Sequence, residues 1–210
     1  MARYTGPVCR LCRRDGTKLF LKGAKCFSEK CPVEKRNFPP GQHGQSRKVK
    51  KVVGYGLQLR EKQKAKRIYF TLETQFRAYY QKASNKQGVT GAYLLQQLET
   101  RLDNVAYRLG FAMSRRQARQ VVRHGHLQVN GRKVNIPSYG LKVNDSIEIK
   151  GSNAARQLAT KNLEISTSRS VPDWLSLDKE ALKGVVMRIP TRDQIQPIAN
   201  EQAVVEFYSR

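Results

Sequence analysis

Four cysteines, all that the chain contains, lie close together near its N-terminus with the spacing Cys9-x2-Cys12-x13-Cys26-x4-Cys31. Two close pairs of thiols joined by a short arm match the ligand set of a tetrahedral metal site, and Zn²⁺ suits four sulfur ligands. An iron–sulfur cluster uses the same ligands. Two disulfides or four free thiols are the alternatives, but this clustering favours metal in a reducing compartment.

The predicted metal site is structural rather than catalytic, because four thiolates leave no coordination position for water or substrate. Residues 1–45 carry few apolar side chains, so metal binding would supply folding energy that a core cannot. Cations beside the cysteines are expected to lower the thiol pKa values and to favour the thiolates that bind metal. These cations are Arg10, Arg13, Arg14, Lys25 and Lys30.

The charge of the chain points to a polyanionic partner. Its 210 residues include 40 Lys and Arg against 16 Asp and Glu, for a net charge of +24. Nucleic acid is the leading candidate, because Lys and Arg release counterions from phosphates. An anionic membrane is the alternative, but no apolar run approaches the roughly 18 residues that span a bilayer. The segment 171–210 carries a net charge of −1 and is interpreted as a packing or protein-facing segment, or as ordinary solvated surface.

Two helices are predicted after a breaker-rich linker over residues 38–45. The first, over residues 57–69, has a thin apolar stripe and is otherwise mostly Lys and Arg, as expected of a helix that contacts phosphates or of a solvated surface helix. The second, over residues 72–83, has apolar residues at helical spacing and therefore a core-facing side.

A further helical pattern runs from Leu94 to Leu109, as one helix or as two joined near Glu99-Thr100. Ser114-Arg115-Arg116-Gln117 is a capping box that opens another helix, roughly residues 115–124. Four arginines in this helix, beside its N-terminus, predict a strong anion site.

The pattern then changes to period two, which predicts strands. Residues 127–129 alternate, and Asn130-Gly131 is the strongest short signal for a hairpin. Val134 and Ile136 are predicted to form the return strand, and residues 147–149 a third short strand. With the two preceding helices, these strands make a compact helix–helix–hairpin–strand unit.

Basic and polar side chains from three regions are the candidate RNA contacts. We expect them to clamp phosphates of several RNA helices, with base readout secondary, because folded RNA is recognised mainly through shape and backbone. No catalytic residue is predicted. The candidates are Arg3, Arg10, Arg13, Arg14, Arg47, Lys48, Lys50, Arg60, Lys62, Lys64, Lys66, Arg67, Arg115, Arg116, Arg119, Arg123, His124, His126, Asn130 and Arg132.

Several runs of residues resemble the family of small-subunit ribosomal protein four. The RNA-binding module named after that protein is matched by RLDNVAYRLGF at 101–111, SRRQARQ at 114–120, HGH at 124–126 and VNG at 129–131. The bacterial form of the whole family is matched by the cysteine segment, FPPGQHG at 38–44, LREKQK at 59–64 and the ending at 200–210. The chain is accordingly identified as a cysteine-containing, metal-binding member.

The resemblance implies an α+β fold in three parts. They are a metal knuckle and linker over 1–45, a mainly helical domain over 46–97 completed by 172–210, and an inserted RNA-binding module with a short antiparallel sheet over 98–171. It implies a structural constituent of the small subunit (30S) in the cytoplasm, which binds 16S ribosomal RNA directly, nucleates assembly of the subunit body and contributes to translational accuracy. The implied neighbours are small-subunit ribosomal protein five and the messenger RNA entry path, with no membrane and no homo-oligomer.

Two other functions fit parts of the sequence. An RNA-modifying enzyme, such as a pseudouridine synthase, can carry the same RNA-binding module. The segment that follows position 150 is too short for a further catalytic domain, however, and Asp173, Asp178 and Asp193 are interpreted as turn and cap residues rather than catalytic acids. A free-standing RNA chaperone fits the composition but not the resemblance over the whole chain.

Overall fold

The computed structural model describes residues 3–46, 52–150, 153–166, 169–195 and 199–210. The chain divides into two compact units. The first, Met1–Leu94 with Pro197–Arg210, contains both ends of the chain and is called the terminal unit below. The second, Leu95–Gln196, is called the central unit.

The regular elements of the described residues follow one another in a mixed order of helices and short strands. They are α1 Val8–Asp15, α2 Pro32–Lys35, α3 Tyr55–Ile68, α4 Glu73–Ser84, α5 Thr90–Glu99, α6 Leu102–Arg108, α7 Arg115–Arg123, β1 Leu127–Val129, β2 Arg132–Lys133, β3 Ser146–Ile149, α8 Asn153–Ile165, β4 Leu175–Asp178, β5 Lys183–Val186 and α9 Glu201–Tyr208. This combination of helices with a small antiparallel sheet confirms the predicted α+β class.

The terminal unit is helical, and its last helix packs against helices from much earlier in the chain. The two helices predicted over residues 57–69 and 72–83 are α3 and α4. The rings of Tyr80 and Tyr208 stack with their centroids 4.7 Å apart, which fixes α9 beside α4. Phe76 of α4 is fully buried. Aromatic contacts therefore hold the C-terminal helix in this unit.

The helical part of the central unit resolves the choice between one helix and two. α5 ends at Glu99, and α6 begins after Arg101, whose backbone is extended with φ −66° and ψ 139°. The predicted helix start at Ser114 is confirmed, because its hydroxyl accepts a hydrogen bond from the amide of Gln117. That bond satisfies one of the free amides of the first turn of α7.

The sheet of the central unit has the order β2-β1-β3-β5-β4, and every pair is antiparallel. The hairpin predicted at Asn130-Gly131 is confirmed, and both residues have the positive φ, 51° and 76°, that a two-residue turn of this type needs. The return strand differs from the one predicted at Val134 and Ile136. It is Arg132–Lys133, and the amide of Val134 still donates to the carbonyl of Leu127 of β1 at 3.2 Å. Ile136 lies beyond it, 50 % exposed and next to Pro137, which has no amide hydrogen for a ladder.

The segment over 172–210 also differs from the prediction that it returns to the helical domain. β4 and β5 instead form a hairpin that extends the sheet, with Ile147 of β3 opposite Gly184 of β5. Only the last part of the segment belongs to the terminal unit. Gly184 is required here, because a Cβ at this position would lie 2.5 Å from the side chain of Leu109. The two strands also contribute Leu175 and Val186 to the apolar cluster of the central unit.

A continuous apolar cluster fills the central unit. It draws on residues between Leu102 and Val186, and it includes Trp174, which is 1 % exposed. Burial of this many aliphatic and aromatic side chains is the dominant favourable contribution to folding of the unit. The rigid core fixes the positions of α6, α7 and the sheet, and these elements carry the charged residues described next.

Candidate nucleic-acid interface and metal centre

Helix α7 divides its four arginines between the interior and the surface. Arg115 and Arg119 are 7 % and 4 % exposed, whereas Arg123 is exposed and Arg116 is half-buried. The division follows helical spacing, since Arg115 and Arg119 share a face with the buried Ala118. Arg115 and Arg119 are therefore not surface phosphate contacts, and the prediction that they bind RNA is corrected.

Arg119 joins a buried ion cluster centred on Asp103. The carboxylate of Asp103 accepts hydrogen bonds from Arg101 at 3.0 and 2.7 Å and lies 3.3 Å from Nη1 of Arg119. Each of the three side chains is 5 % exposed or less. The single carboxylate of Asp103 therefore pairs with two buried guanidiniums at once, and its loss would remove the anion that both of them contact.

Arg115 belongs to a second polar cluster in the same unit. Its Nε donates to Oδ1 of Asn104 at 2.7 Å, and its guanidinium lies over the ring of Tyr107, 4.6 Å from the centroid. The amide of Asn104 donates in turn to Glu99 Oε2 at 2.7 Å, and Arg108 binds the same carboxylate at 2.8 and 3.0 Å. The cluster links the end of α5 with α6 and α7, so it sets the angle at which α7 presents its outer face.

The outer face of this region keeps several of the predicted contacts accessible. Arg123, His124 and Arg132 are exposed, and His126 is half-buried with its ring centroid 5.9 Å from that of His124. Asn130 is exposed, but its side chain donates to Asp145 at 2.8 Å and accepts from the amide of Ser146 at 2.9 Å. Its hydrogen bonds therefore tie the turn between β1 and β2 to the start of β3.

Three exposed lysines of the sheet region were missed by the sequence reasoning. They lie on or beside the strands, where charge is less conspicuous than in an arginine-rich helix. They are Lys133, Lys142 and Lys150. Period-two alternation could have found Lys150, because it follows the buried Ile149 at the end of β3, whereas Lys142 lies outside the strands.

Most cations of α3 are engaged within the protein. Arg60 is exposed, but Lys64 pairs with Glu61 at 2.6 Å. Arg67 holds both oxygens of Asp15 at 2.8 and 2.9 Å. Pairs with acids reduce the net positive charge that the helix presents. The predicted contacts Arg47, Lys48 and Lys50 lie outside the described residues.

Lys62 is a second correction to the predicted RNA contacts. It is 4 % exposed, and its ammonium lies 2.8 Å from Glu73 and 4.7 Å from the centroid of the Phe207 ring. Glu73 also accepts hydrogen bonds from Tyr208 at 2.7 Å and from Lys66 at 3.0 Å. The nearby sequence could not have revealed this burial, because α9, at the other end of the chain, supplies the aromatic cover.

The electrostatics of this cluster follow from these contacts. Burial opposes ionisation of Glu73, but hydrogen bonds from Lys62, Tyr208 and Lys66 outweigh it and lower its pKa to about 2. Burial and the Glu73 carboxylate raise the pKa of Tyr208 far above its ordinary value. Glu73 is therefore a permanent anion near neutral pH, and Tyr208 a permanent hydrogen-bond donor.

The first segment of the terminal unit carries Arg3, Arg10 and Arg14 at its surface. Arg13 is half-buried, and its Nε donates to the carbonyls of Arg36 and Phe38 at 3.2 and 3.1 Å. Its guanidinium also lies 4.7 Å from the centroid of the Phe38 ring. Arg13 is therefore fixed in position by the loop that precedes the linker.

All four cysteines line one small cavity of about 10 Å³ in this segment. Cys12, Cys26 and Cys31 are buried, Cys9 is half-buried, and all are free thiols. The amide of Lys22 donates to the sulfur of Cys26 at 3.4 Å, a bond that favours a thiolate. Within the described residues, however, no three or more His, Cys, Asp or Glu side chains stand in metal-binding geometry.

The thiol pKa values move opposite to the expectation. Burial raises the pKa of Cys12 to about 11 and also raises that of Cys26. The neighbouring cysteines add to both shifts. A metal would therefore have to displace protons from these sulfurs. The donor set itself is of the type that Zn²⁺ binds, because it consists of four cysteine sulfurs that line one cavity.

Comparison with known proteins identifies the family. Residues 3–99 match the model "Ribosomal protein S4/S9 N-terminal domain", and residues 100–147 match the model "S4 domain". Proteins called "Small ribosomal subunit protein uS4" are 62 % identical in Acidobacterium capsulatum, 61 % in Koribacter versatilis and 55 % in Thermus thermophilus, each over the full length of both chains. The chain belongs to the uS4 family of ribosomal proteins. This family consists of structural ribosomal proteins rather than enzymes.

The two family models divide the chain where the structure places a helix break. The uS4 N-terminal match ends at residue 99 and the S4 domain begins at residue 100, between α5 and α6. The buried Asp103 cluster thus lies inside the S4 domain match, whereas the Asn104 cluster connects that match to Glu99, the last residue of the N-terminal match. None of the helices in the described residues is both long and apolar enough to cross a membrane.

Proposed function

We propose that this uS4-family chain is a structural constituent of the small ribosomal subunit that binds 16S ribosomal RNA directly. The observation that carries the proposal is identity of up to 62 % over the whole length of relatives that bear the name of a small-subunit ribosomal protein. A net charge of +24 supports it, because a phosphate polyanion compensates that charge. No part of the proposed role requires a catalytic group.

Binding is static in this proposal. Exposed cations contact phosphates, and the fold determines which RNA shapes can meet them. In the central unit these contacts are the exposed Arg123 and Arg132 and the half-buried Arg116, with His124 as a neighbouring hydrogen-bonding group. In the terminal unit they include Arg10, Arg14 and Arg60. The buried Arg115 and Arg119 act indirectly, because they fix α7 from within.

The finer functions rest on the family resemblance. The chain is proposed to bind 16S ribosomal RNA early and to nucleate assembly of the subunit body. It is further proposed to lie near small-subunit ribosomal protein five and the messenger RNA entry path, and to contribute to translational accuracy. Its place of action is the ribosome in the cytoplasm.

The cysteine cluster is proposed to hold a structural Zn²⁺ through Cys9, Cys12, Cys26 and Cys31, with an iron–sulfur cluster as the alternative occupant. Support comes from the convergence of all four residues on one cavity. A metal ion bound by the four cysteine thiolates would cross-link α1 with the segment that follows it. Elemental analysis of purified protein tests the occupant, and one zinc per chain without iron or acid-labile sulfide is expected. Fewer than one metal per ten chains would contradict a resident ion.

The RNA proposal is tested by binding of the purified chain to small-subunit ribosomal RNA across a salt series, with an unrelated structured RNA as competitor. Tight binding that survives the competitor is expected, since shape selects the site while charge supplies affinity. Binding that any RNA abolishes equally would overturn the specific role and favour a general RNA chaperone. Lys179→Ala removes one exposed cation from the nearly neutral segment after residue 171, so it should bind as the wild type does and is the control for a change in net charge alone.

A further inference from the structure

A second cleft opens in the cysteine segment, and it shares Cys9 and Pro32 with the cavity that the four cysteines line. It has a volume of about 260 Å³, far larger than the 10 Å³ of that cavity. Residues from α1, from α2 and from the turn before α2 line it, and all belong to the terminal unit. They are Pro7, Cys9, Arg10, Arg13, Lys30, Pro32, Lys35 and Arg36.

Five of these eight residues are cationic and none is acidic. The acidic residue of α2, Glu34, is bound to Lys18 instead. Within the part of the chain that the structure describes, no salt bridge involves Lys30, Lys35 or Arg36, and all three residues are exposed. A cleft with walls of one sign focuses the field and concentrates counter-ions.

The cleft is partly preorganised, because Arg13 is fixed before any ligand arrives. Its Nε is occupied by the carbonyls of Arg36 and Phe38, and its guanidinium rests on the Phe38 ring. The Nη groups take no part in those two bonds. A guanidinium held in this way loses little conformational freedom when it binds an oxyanion.

We propose that this cleft binds a phosphodiester group of RNA, with Arg13 as the fixed ligand and Lys30, Lys35 and Arg36 as mobile ligands. The inference rests on the proposed RNA-binding function and adds a specific site to it. The volume lies below the roughly 300–1,000 Å³ of sites that enclose whole small molecules. A backbone phosphate therefore fits the cleft better than a complete free cofactor does.

The test is a salt series of binding to small-subunit ribosomal RNA with Lys35→Ala, Arg36→Ala and the double variant. Each lost phosphate contact lowers the magnitude of the salt slope by about 0.7 to 0.9. The double variant should therefore lose about 1.5 slope units and bind roughly tenfold or more weakly near physiological salt. Arg36→Lys should retain the slope, and Lys179→Ala is the control for loss of one exposed cation elsewhere.

Two outcomes separate this inference from the proposed function. If the cleft variants have the same salt slope as Lys179→Ala and the protein still selects small-subunit ribosomal RNA, the proposed phosphate site in the cleft is wrong and the proposed function stands. A wild-type chain that shows no such selection would overturn the proposed function as well. Circular dichroism that matches wild type excludes misfolding as the cause, and Arg13 is left unaltered because its Nε holds the loop.

A final arm distinguishes RNA phosphate from a free phosphate compound. Inorganic pyrophosphate is titrated into the RNA-free protein while the backbone amides of residues 30–36 are followed by NMR. Weak, millimolar shifts that disappear in Arg36→Ala are expected for an RNA phosphate site. Saturation at micromolar pyrophosphate would overturn the RNA assignment and indicate a site for a free phosphate ligand.

Discussion

The two units of this protein are stabilised in different ways. In the central unit, one continuous apolar cluster surrounds ionic groups that are almost completely buried. In the terminal unit, partly exposed polar contacts join segments that lie far apart in the chain, such as Asp15 with Arg67 and Glu73 with Tyr208. The first arrangement depends on one large interior, whereas the second adds these cross-links to buried apolar residues such as Ile68 and Phe76. Single substitutions should therefore affect the two units differently.

The same contrast appears in how each unit uses its cations. On α7, Arg115 and Arg119 are buried and hydrogen-bond to other residues of the central unit, whereas Arg116 and Arg123 are more accessible to solvent. On α3, Lys64, Lys66 and Arg67 each pair with an acid near the surface. The number of basic residues in a helix therefore overstates how many are available for phosphate. Charge that is bound internally contributes to shape, and shape is what selects a folded RNA.

The largest expected effect follows loss of the cysteine cluster. In the double variant Cys12→Ser and Cys26→Ser, residues 3–46 should lose their structure, because this segment has few apolar contacts and structural zinc contributes about 10–16 kcal/mol in small domains. Hydrogen exchange measured by mass spectrometry should show fast exchange over 3–46 and unchanged protection over 102–150. Ser28→Ala is the control, since its hydroxyl only caps the carbonyl of Lys25. Slow exchange of 3–46 in the double variant would contradict the cross-link.

The next effect concerns the interior of the central unit. Asp103→Ala removes the carboxylate between Arg101 and Arg119, and it should lower the free energy of unfolding by about 3–5 kcal/mol, because two buried guanidiniums lose their partner. Urea unfolding followed by tryptophan fluorescence reports this unit through Trp174. The exposed Asp173→Ala should stay within about 0.5 kcal/mol of wild type. Equal midpoints for the two variants would mean that the ion cluster does not stabilise the unit.

A smaller effect separates surface from interior on one helix. Arg116→Ala should lower the magnitude of the RNA salt slope by about one while it leaves stability within about 0.5 kcal/mol. Arg119→Ala should lower the free energy of unfolding by about 1–3 kcal/mol and leave the slope unchanged, because Arg119 binds Asp103 inside the protein. Salt-dependent RNA binding and urea unfolding are measured on both variants. Equal slope losses would place Arg119 at the interface after all.

The sequence predicted the elements whose signals are local. The apolar spacing of α3 and α4, the Ser114 cap and the Asn130-Gly131 turn each depend on residues within a few positions of one another. The buried face of α7 was also readable in principle, since Arg115 and Arg119 fall on the side of Ala118. Arginine side chains are usually exposed, however, so the sequence alone favours a surface position for both residues.

Features that depend on distant partners were not predictable. The short strands β4 and β5 become part of a sheet only because β5 pairs with the free edge of β3. β3 lies earlier in the chain and is separated from β4 by the whole of α8. Lys62 is buried by rings from α9, and no pattern near Lys62 encodes that contact. The cationic cleft likewise assembles from three short segments, so its residues look like scattered surface charge in the sequence.

The smallest expected effect tests the polar cross-links of the terminal unit by pH. Ionised Glu73 binds Lys62, Lys66 and Tyr208, and its pKa is lowered from 4.5 to about 2. Its stabilisation is therefore complete above about pH 4.5 and is lost as the pH falls toward 2. Because the side chain is 46 % exposed, solvent screening reduces the contribution to about 1 kcal/mol.

Glu73→Gln should accordingly be about 1 kcal/mol less stable than wild type at pH 7, and the difference should shrink between pH 4.5 and pH 2. Urea unfolding at a series of pH values measures it, with the exposed Glu180→Gln of the central unit as the control. A deficit that persists unchanged at low pH would mean that packing of α9, rather than the charge of Glu73, supplies the stability. In that case the terminal unit would resemble the central unit more closely than its exposed contacts indicate.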